Sequence, residues 1–172
     1  QASDVHRLWG AASYMMSHDE WRVMNWCDAC QQRHITPGQM VAGSVRFCQD
    51  LLHATAPGAR TFVWSDMFDP HHNAKEDYYL VRDSLEGSWE GLKPGVEIMN
   101  WKFGQRDDSL AVFAKRGHPQ VIAGYYDGPL DDVRAWLDSA AKVKDVKGFM
   151  YTTWRNDYTK LEEVAAILEK AG

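Results

Sequence analysis

Residues Tyr14 to Glu20, YMMSHDE, carry the densest chemistry in the chain. A short apolar strand runs into His18-Asp19-Glu20, and the residues beyond it read as a helix. Two adjacent carboxylates at the carboxyl end of a buried parallel strand are costly to desolvate, and barrels place their active groups at such ends. The pair is therefore a candidate for acid–base catalysis. The competing reading is a helix N-terminus, where acids favour the dipole and Asp is a good cap. Four further segments favour catalysis. Arg60–Asp66 (RTFVWSD), Val96–Trp101 (VEIMNW), Gln120–Asp127 (QVIAGYYD) and Val146–Trp154 (VKGFMYTTW) are each an apolar strand ending in Trp, Tyr or Asp. Polar and aromatic groups at the same ends of successive strands suggest a sugar-binding face.

Tryptophan is abundant, with eight copies. Core filling suits Trp136, on the apolar side of a helix, and Trp26. It suits Trp64, Trp101 and Trp154 less well, because they stand at strand ends. Flat aromatic faces stack on the C–H faces of pyranose rings, and an indole also donates a hydrogen bond. A rival constellation is a divalent-cation site built from His18, Asp19, Asp66, Asp69, His71 and His72. His71 and His72 read equally as part of a polar, solvated connection turned by Pro70. Cys27 and Cys30 form a CxxC inside the expected helix, one turn apart. No second CxxC or His pair completes a zinc site, so they read as structural thiols packed like small hydrophobes, a regulatory or metal role being the alternative.

The elements that must position these residues alternate. After the first strand a helix is expected over about Glu20–Gln32. A second follows, with Thr36 as N-cap and Pro37 in its first turn, running through Met40, Val41, Val45, Cys48, Leu51 and Leu52 until Ala56-Pro57-Gly58 stops it. The strand at Thr61–Trp64 leads into the polar loop Asp66–Glu76 and a short helical or irregular segment, Tyr78–Leu85. Strands at Val96–Trp101, Val121–Tyr126 and Gly148–Thr153 alternate with helices at Asp108–Lys115, Asp131–Lys142 and Tyr158–Lys170. This rhythm implies parallel strands with helical crossovers, an α/β fold in a single domain over residues 1–172.

Chain length permits one domain with a real core: 172 residues, 45% hydrophobic, net charge −5. The mild acidity offers no footprint for nucleic acid or an anionic membrane, and no run reaches transmembrane length. Gln1 in first position reads as a processing or cloning boundary. Periplasmic or secreted localisation would follow if a signal peptide preceded it, and cytoplasmic otherwise. Five βα units are too few for an eight-stranded barrel, which takes about 250 residues. The position of the active groups favours the latter part of a barrel over an open sheet.

In this order, HDE, WSD, a strand ending in Trp, GYYD and a final MYTTW, the chain resembles the second half of the catalytic barrel of family 20 glycoside hydrolases, the β-N-acetylhexosaminidases and their relatives. The resemblance implies a partial TIM barrel, strands 4 to 8 of a (β/α)8 fold, over nearly the whole chain. It implies that Glu20 protonates the leaving glycosidic oxygen and then activates water. Asp19 would orient the substrate's 2-acetamido group, whose carbonyl oxygen attacks the anomeric carbon in place of an enzyme carboxylate. Glu20 must start protonated, so burial and its anionic neighbour are expected to raise its pKa. Tyr125 or Tyr126 would hold the acetamido oxygen, since alternation turns only one of them inward. Trp64, Trp101 and Trp154 would wall the sugar, with His18 and Asp66 among the binding residues. Two departures stand out. Met15, Met16, Ser17 and His18 replace the family's Gly-rich approach, and Trp154-Arg155-Asn156 replaces Trp-x-Glu, leaving Asn156 to bind hydroxyls without charge. No cofactor is expected. The expected partners are an N-acetylhexosaminide and either a missing N-terminal barrel half or a second copy. The alternative to hydrolysis is a barrel fragment that binds sugar without cutting it.

Overall fold

A computed structural model of the chain describes residues 1–171. It divides into two compact units, Gln1–Glu97 and the residues from Ile98 onward. In the first unit, helix α1 (Ala2–Trp9), which the sequence reading did not foresee, precedes strand β1 (Ser13–Met15). Strand β3 (Arg60–Trp64) pairs with β1 in parallel, with Ser13 opposite Arg60 and Met15 opposite Phe62. The crossover between them is carried by helix α3 (Pro37–Thr55). Its start matches the sequence signal. Gln39 N–H donates to Thr36 Oγ1 at 3.2 Å, and Thr36 N–H donates to Gln39 Oε1 at 3.0 Å. This reciprocal capping box, with Pro37 at the first helical position, satisfies two amides that a helix start leaves orphaned.

The inner face of α3 buries Met40, Val41, Val45 and Gln49, while Leu51 is exposed, so the apolar stripe ends sooner than its residue types suggest. Gln49 is fully engaged: its amide donates to Val45 O and Gly91 O, and its carbonyl oxygen accepts from Lys93 N–H. Gly91 closes the 3-10 turn Ser88–Gly91 directly on the α3 backbone; a Cβ there would lie 2.4 Å from Ala42 Cα.

The helix expected over Glu20–Gln32 is absent. Strand β2 (Val23–Met24) and a single turn, α2 (Asp28–Gln31), take its place. Glu20 and Asn25, at φ 47° and 64°, interrupt any right-handed run. Between them, Val23 and Met24 pair in parallel with β4 (Leu80–Val81), which lies in the segment expected to be helical or irregular. Trp26 is exposed rather than core, its indole N–H donating to Leu80 O at 2.6 Å. Cys27 is exposed and Cys30 half-buried, so they do not pack as core thiols. The connection after β3 differs from a solvated loop as well. It begins with a 3-10 turn, Asp66–Phe68, and buries Asp66, Met67, Phe68, Asp69, His72, Asn73 and Ala74.

The second unit holds β5 (Glu97–Asn100) from Ile98 onward, β6 (Gln120–Tyr125) and β7 (Val146–Thr152), parallel and adjacent in that order. Helices α4 (Arg106–Lys115) and α5 (Leu130–Ala140) cross between successive strands, and α6 (Leu161–Ala171) follows the last. Leu110, Ile122 and Trp136 form one buried cluster; Tyr125, Val133 and Val164 form another. Trp136 fills the core as its helical position implies. Gly124 makes room for the Phe149 ring: a Cβ there would fall 2.1 Å from Phe149 Cζ, so the ring would have to move. The five strands expected at these positions are all present and parallel within their units, so the chain is α/β. No helix among the described residues is long and apolar enough to cross a membrane.

Candidate active site

In the first unit the acid pair follows β1 on a loop of unusual backbone. Ser17, His18 and Glu20 have φ of 57°, 61° and 47°, a region in which a side chain crowds the following carbonyl. The loop is fastened from several sides. Met16 N–H donates to Phe62 O at 2.8 Å, and Trp64 N–H donates to Ser17 O at 3.2 Å, which carries the β1–β3 pairing into the turn. His18 is buried, with Nδ1 2.8 Å from Met16 O and Nε2 3.3 Å from Ser44 Oγ. Its ring stacks on Trp21 with centroids 5.3 Å apart. Burial lowers its pKa, against smaller opposing effects of the Met16 carbonyl and the Asp19 charge.

Asp66, fully buried at the end of β3, reaches the pair from the neighbouring strand. Its Oδ2 accepts from Glu20 N–H at 2.9 Å and from Asn73 Nδ2 at 2.9 Å. This carboxylate fixes where Glu20 stands. It acts on the backbone of the acid pair, a role its residue type did not reveal. Asn73, which helps hold it, was not among the expected site residues.

Asp19 and Glu20 both face solvent. The Glu20 side chain is 44% exposed and bound by Arg22 at 2.7 Å. The burial expected around a general acid is therefore not found at Glu20. Arg22 is raised above its usual value by its hydrogen bond to Glu20 and by that carboxylate's charge, and its guanidinium lies 5.7 Å from the Tyr79 ring centre. Nearby, burial raises the Tyr78 phenol, with the charges of Asp66 and Glu20 adding to the effect and Arg22 opposing it. Arg22 was hidden by the helix reading, since residues two apart share a face only in extended chain. No helix begins at Asp19-Glu20, so helix capping does not account for them. Trp64 is half-buried at the end of β3. Among the described residues no three His, Cys, Asp or Glu side chains gather as a metal site requires, so the set His18, Asp19, Asp66 and His71 does not converge.

In the second unit, Tyr125 and Tyr126 differ in burial, but both have a left-handed backbone, φ 73° and 48°, so strand alternation does not apply to them. Tyr125 is buried and stacks on Tyr151 at 4.6 Å. Desolvation, reinforced by Tyr125, pushes the Tyr151 phenol up to about 12, and its hydroxyl donates to Asp157 O at 2.7 Å. Tyr126 is open to solvent, with the Trp101 ring 5.9 Å away and the Trp154 ring edge-on at 5.6 Å. A pocket of about 90 Å³ lies beside them, lined by Trp101, Tyr125, Tyr126 and Trp136 among others.

The link between the ends of β6 and β7 is Asp127, which the sequence reading quoted only as part of a strand end. Its Oδ1 accepts from Thr153 Oγ1 at 2.5 Å; its Oδ2 accepts from the N–H groups of Trp154 at 2.6 Å and Arg155 at 3.1 Å. Desolvation pushes this carboxyl up, but the three donors outweigh it and hold Asp127 below the usual range. Trp154, 64% exposed, thus stands on a fixed backbone. Asn156 is exposed nearby in sequence, at φ 55°.

Compared with family models, with characterised proteins and with solved structures, the chain matches none.

Proposed function

We propose that the chain is the C-terminal part, strands 4 to 8, of a glycoside hydrolase barrel that removes terminal N-acetylhexosamine residues by substrate-assisted retention. The observation that carries this reading is the built loop after β1, where a buried acid from the next strand end fastens the Glu20 amide at 2.9 Å. Ser17 and His18 support it further. They adopt the backbone that glycines would adopt without strain, and the resemblance expects a Gly-rich approach there.

In this proposal the acetamido carbonyl oxygen attacks the anomeric carbon while Glu20 protonates the departing oxygen. Asp19 aligns the acetamido group and balances the charge that develops on it. Glu20 then deprotonates the water that opens the bicyclic intermediate. For the first step Glu20 must exchange its Arg22 partner for the glycosidic oxygen. Within the second unit taken by itself, Trp101, Tyr126 and Trp154 bring together aromatic faces of the kind that stack on sugars.

The exposed, Arg22-paired state of Glu20 favours a second reading, in which the site binds the sugar without cutting it. Turnover of an aryl N-acetylglucosaminide by the complete polypeptide separates the two, with Glu20→Gln as control. Turnover that Glu20→Gln abolishes supports hydrolysis. Saturable binding with no turnover above the control replaces it with the binding module.

A further inference from the structure

The run from β2 to α2 carries chemistry that glycoside cleavage does not use. Cys27 caps α2, Cys30 lies within it, and their sulfurs are 3.3 Å apart in the free-thiol state. Cys27 is open to solvent and Cys30 partly so, which gives a reagent access to the pair. The turn that joins them is already closed: the N–H groups of Cys30 and Gln31 both donate to Cys27 O at 3.0 Å. A turn of this kind keeps its end Cα atoms within about 7 Å, compatible with the span of a disulfide.

The turn is also anchored. Beside it, Trp26 donates to Leu80 O at 2.6 Å, and Asn25 Nδ2 donates to Arg82 O at 3.1 Å. The Arg82 guanidinium lies 5.6 Å from the Trp26 ring centre. Among the described residues no third His, Cys, Asp or Glu gathers with the two sulfurs as a metal would need, which leaves the pair its own redox chemistry.

We propose that Cys27 and Cys30 form a thiol–disulfide exchange site for small disulfides of the glutathione class. The Cys27 thiolate attacks one sulfur of the disulfide, forming a Cys27 mixed disulfide and releasing one small thiolate. Cys30 then attacks Cys27 Sγ, the Cys27–Cys30 bond forms, and the second small thiolate leaves. The two protein thiol protons end on the two small thiols. The protein pair is oxidised by two electrons and the small disulfide reduced by two, so the reaction runs backwards in excess reduced thiol.

The order of attack follows from access: Cys27 is exposed at the start of α2, whereas Cys30 is half-buried within the turn. The hydrogen bond between them acts in the same sense, holding the Cys27 thiol below its usual range and pushing Cys30 above its own. Cys48, the third cysteine, lies in α3 with its thiol raised by burial, and serves as an internal control.

The test is exposure of the folded chain to excess oxidised glutathione, acid quenching, alkylation after denaturation, and peptide mass spectrometry. The expected result is loss of two of the three alkylatable thiols. A Cys27–Cys30 cross-linked peptide should appear two hydrogens lighter, with Cys48 still alkylated. Cys30→Ser should stop at a glutathione adduct on Cys27, and neither Cys30→Ser nor Cys27→Ser should yield the cross-linked peptide. Adducts accumulating on Cys27 and Cys30 without a cross-link would overturn the proposal. So would three cysteines that react alike, or a pair that stays reduced; each of these is read on the unmutated chain and needs no variant to fold.

Discussion

Glu20 sits between two restraints of different kinds: Asp66 holds its backbone and Arg22 holds its carboxylate. The first is the more consequential, because the Asp66 carboxylate is fully buried and receives two N–H donors. Asp66→Ala leaves both donors without that partner and should cost about 2–4 kcal/mol, read as a shift in denaturant midpoint at unchanged slope. Glu20→Ala separates chemistry from structure. In the complete barrel it should slow natural substrates by ~10²–10⁴-fold, and substrates with an activated leaving group far less, because those need no proton. Equal losses for both would remove the general-acid assignment. His18 gives the loop a dependence on acidity. Its pKa is lowered in the fold, so folding favours the neutral ring. That stability is present above the unfolded value near 6.5 and drains away as pH falls through the lower folded value. The unfolding midpoint should therefore drop on acidification below pH ~6.5, and His18→Gln should flatten that limb of the profile.

The loop after β1 and the turn on α3 show how much an element's backbone decides. Ser17 is exposed at φ 57°, so Ser17→Gly relieves a left-handed strain that exceeds the entropy glycine adds to the unfolded chain. A gain of about 0.5–1 kcal/mol in unfolding free energy is expected. Gly91→Ala should do the reverse and lose about 3 kcal/mol or more, since the clash is with the Ala42 backbone and no side chain can step aside. The sequence made the strong signals plain. Thr36-Pro37 with Gln39 marked the start of α3, and the apolar runs ending in Trp or Tyr marked β3, β5, β6 and β7. It failed where pairing partners are distant. Val23 and Met24 look helical until Leu80 and Val81, more than fifty residues on, draw them into a ladder. Asp19, Glu20 and Asp66 were legible as residue types at strand ends. Arg22, Asn73 and the bonding of Asp127 were not, because each acts through geometry that local spacing does not record.

At the scale of the whole chain, the proposed half barrel has consequences for association. Strand β7 pairs on one side only, with β6, and β1 pairs only with β3 among the described residues. Helix α1 adds exposed Val5, Leu8 and Trp9. Unpaired edges and exposed apolar side chains favour contact with another chain. Sedimentation should therefore show self-association rising with concentration, and a single monomeric species at all concentrations would remove the half-barrel reading. Lys147, exposed on β7, is the sort of edge charge that keeps such contact from running on. The open side of β7 has a further consequence, written in isotopes. In a parallel strand alternate amides face opposite neighbours, so one set of β7 N–H groups is tied to β6 and the other faces the vacant side. In deuterated water the bare strand should exchange with a period of two, slow and fast residues alternating from Gly148 to Thr152, beyond the bulge at Lys147. Docking of a further strand on that side would slow the fast set alone, and the loss of that alternation would mark the moment the edge is covered.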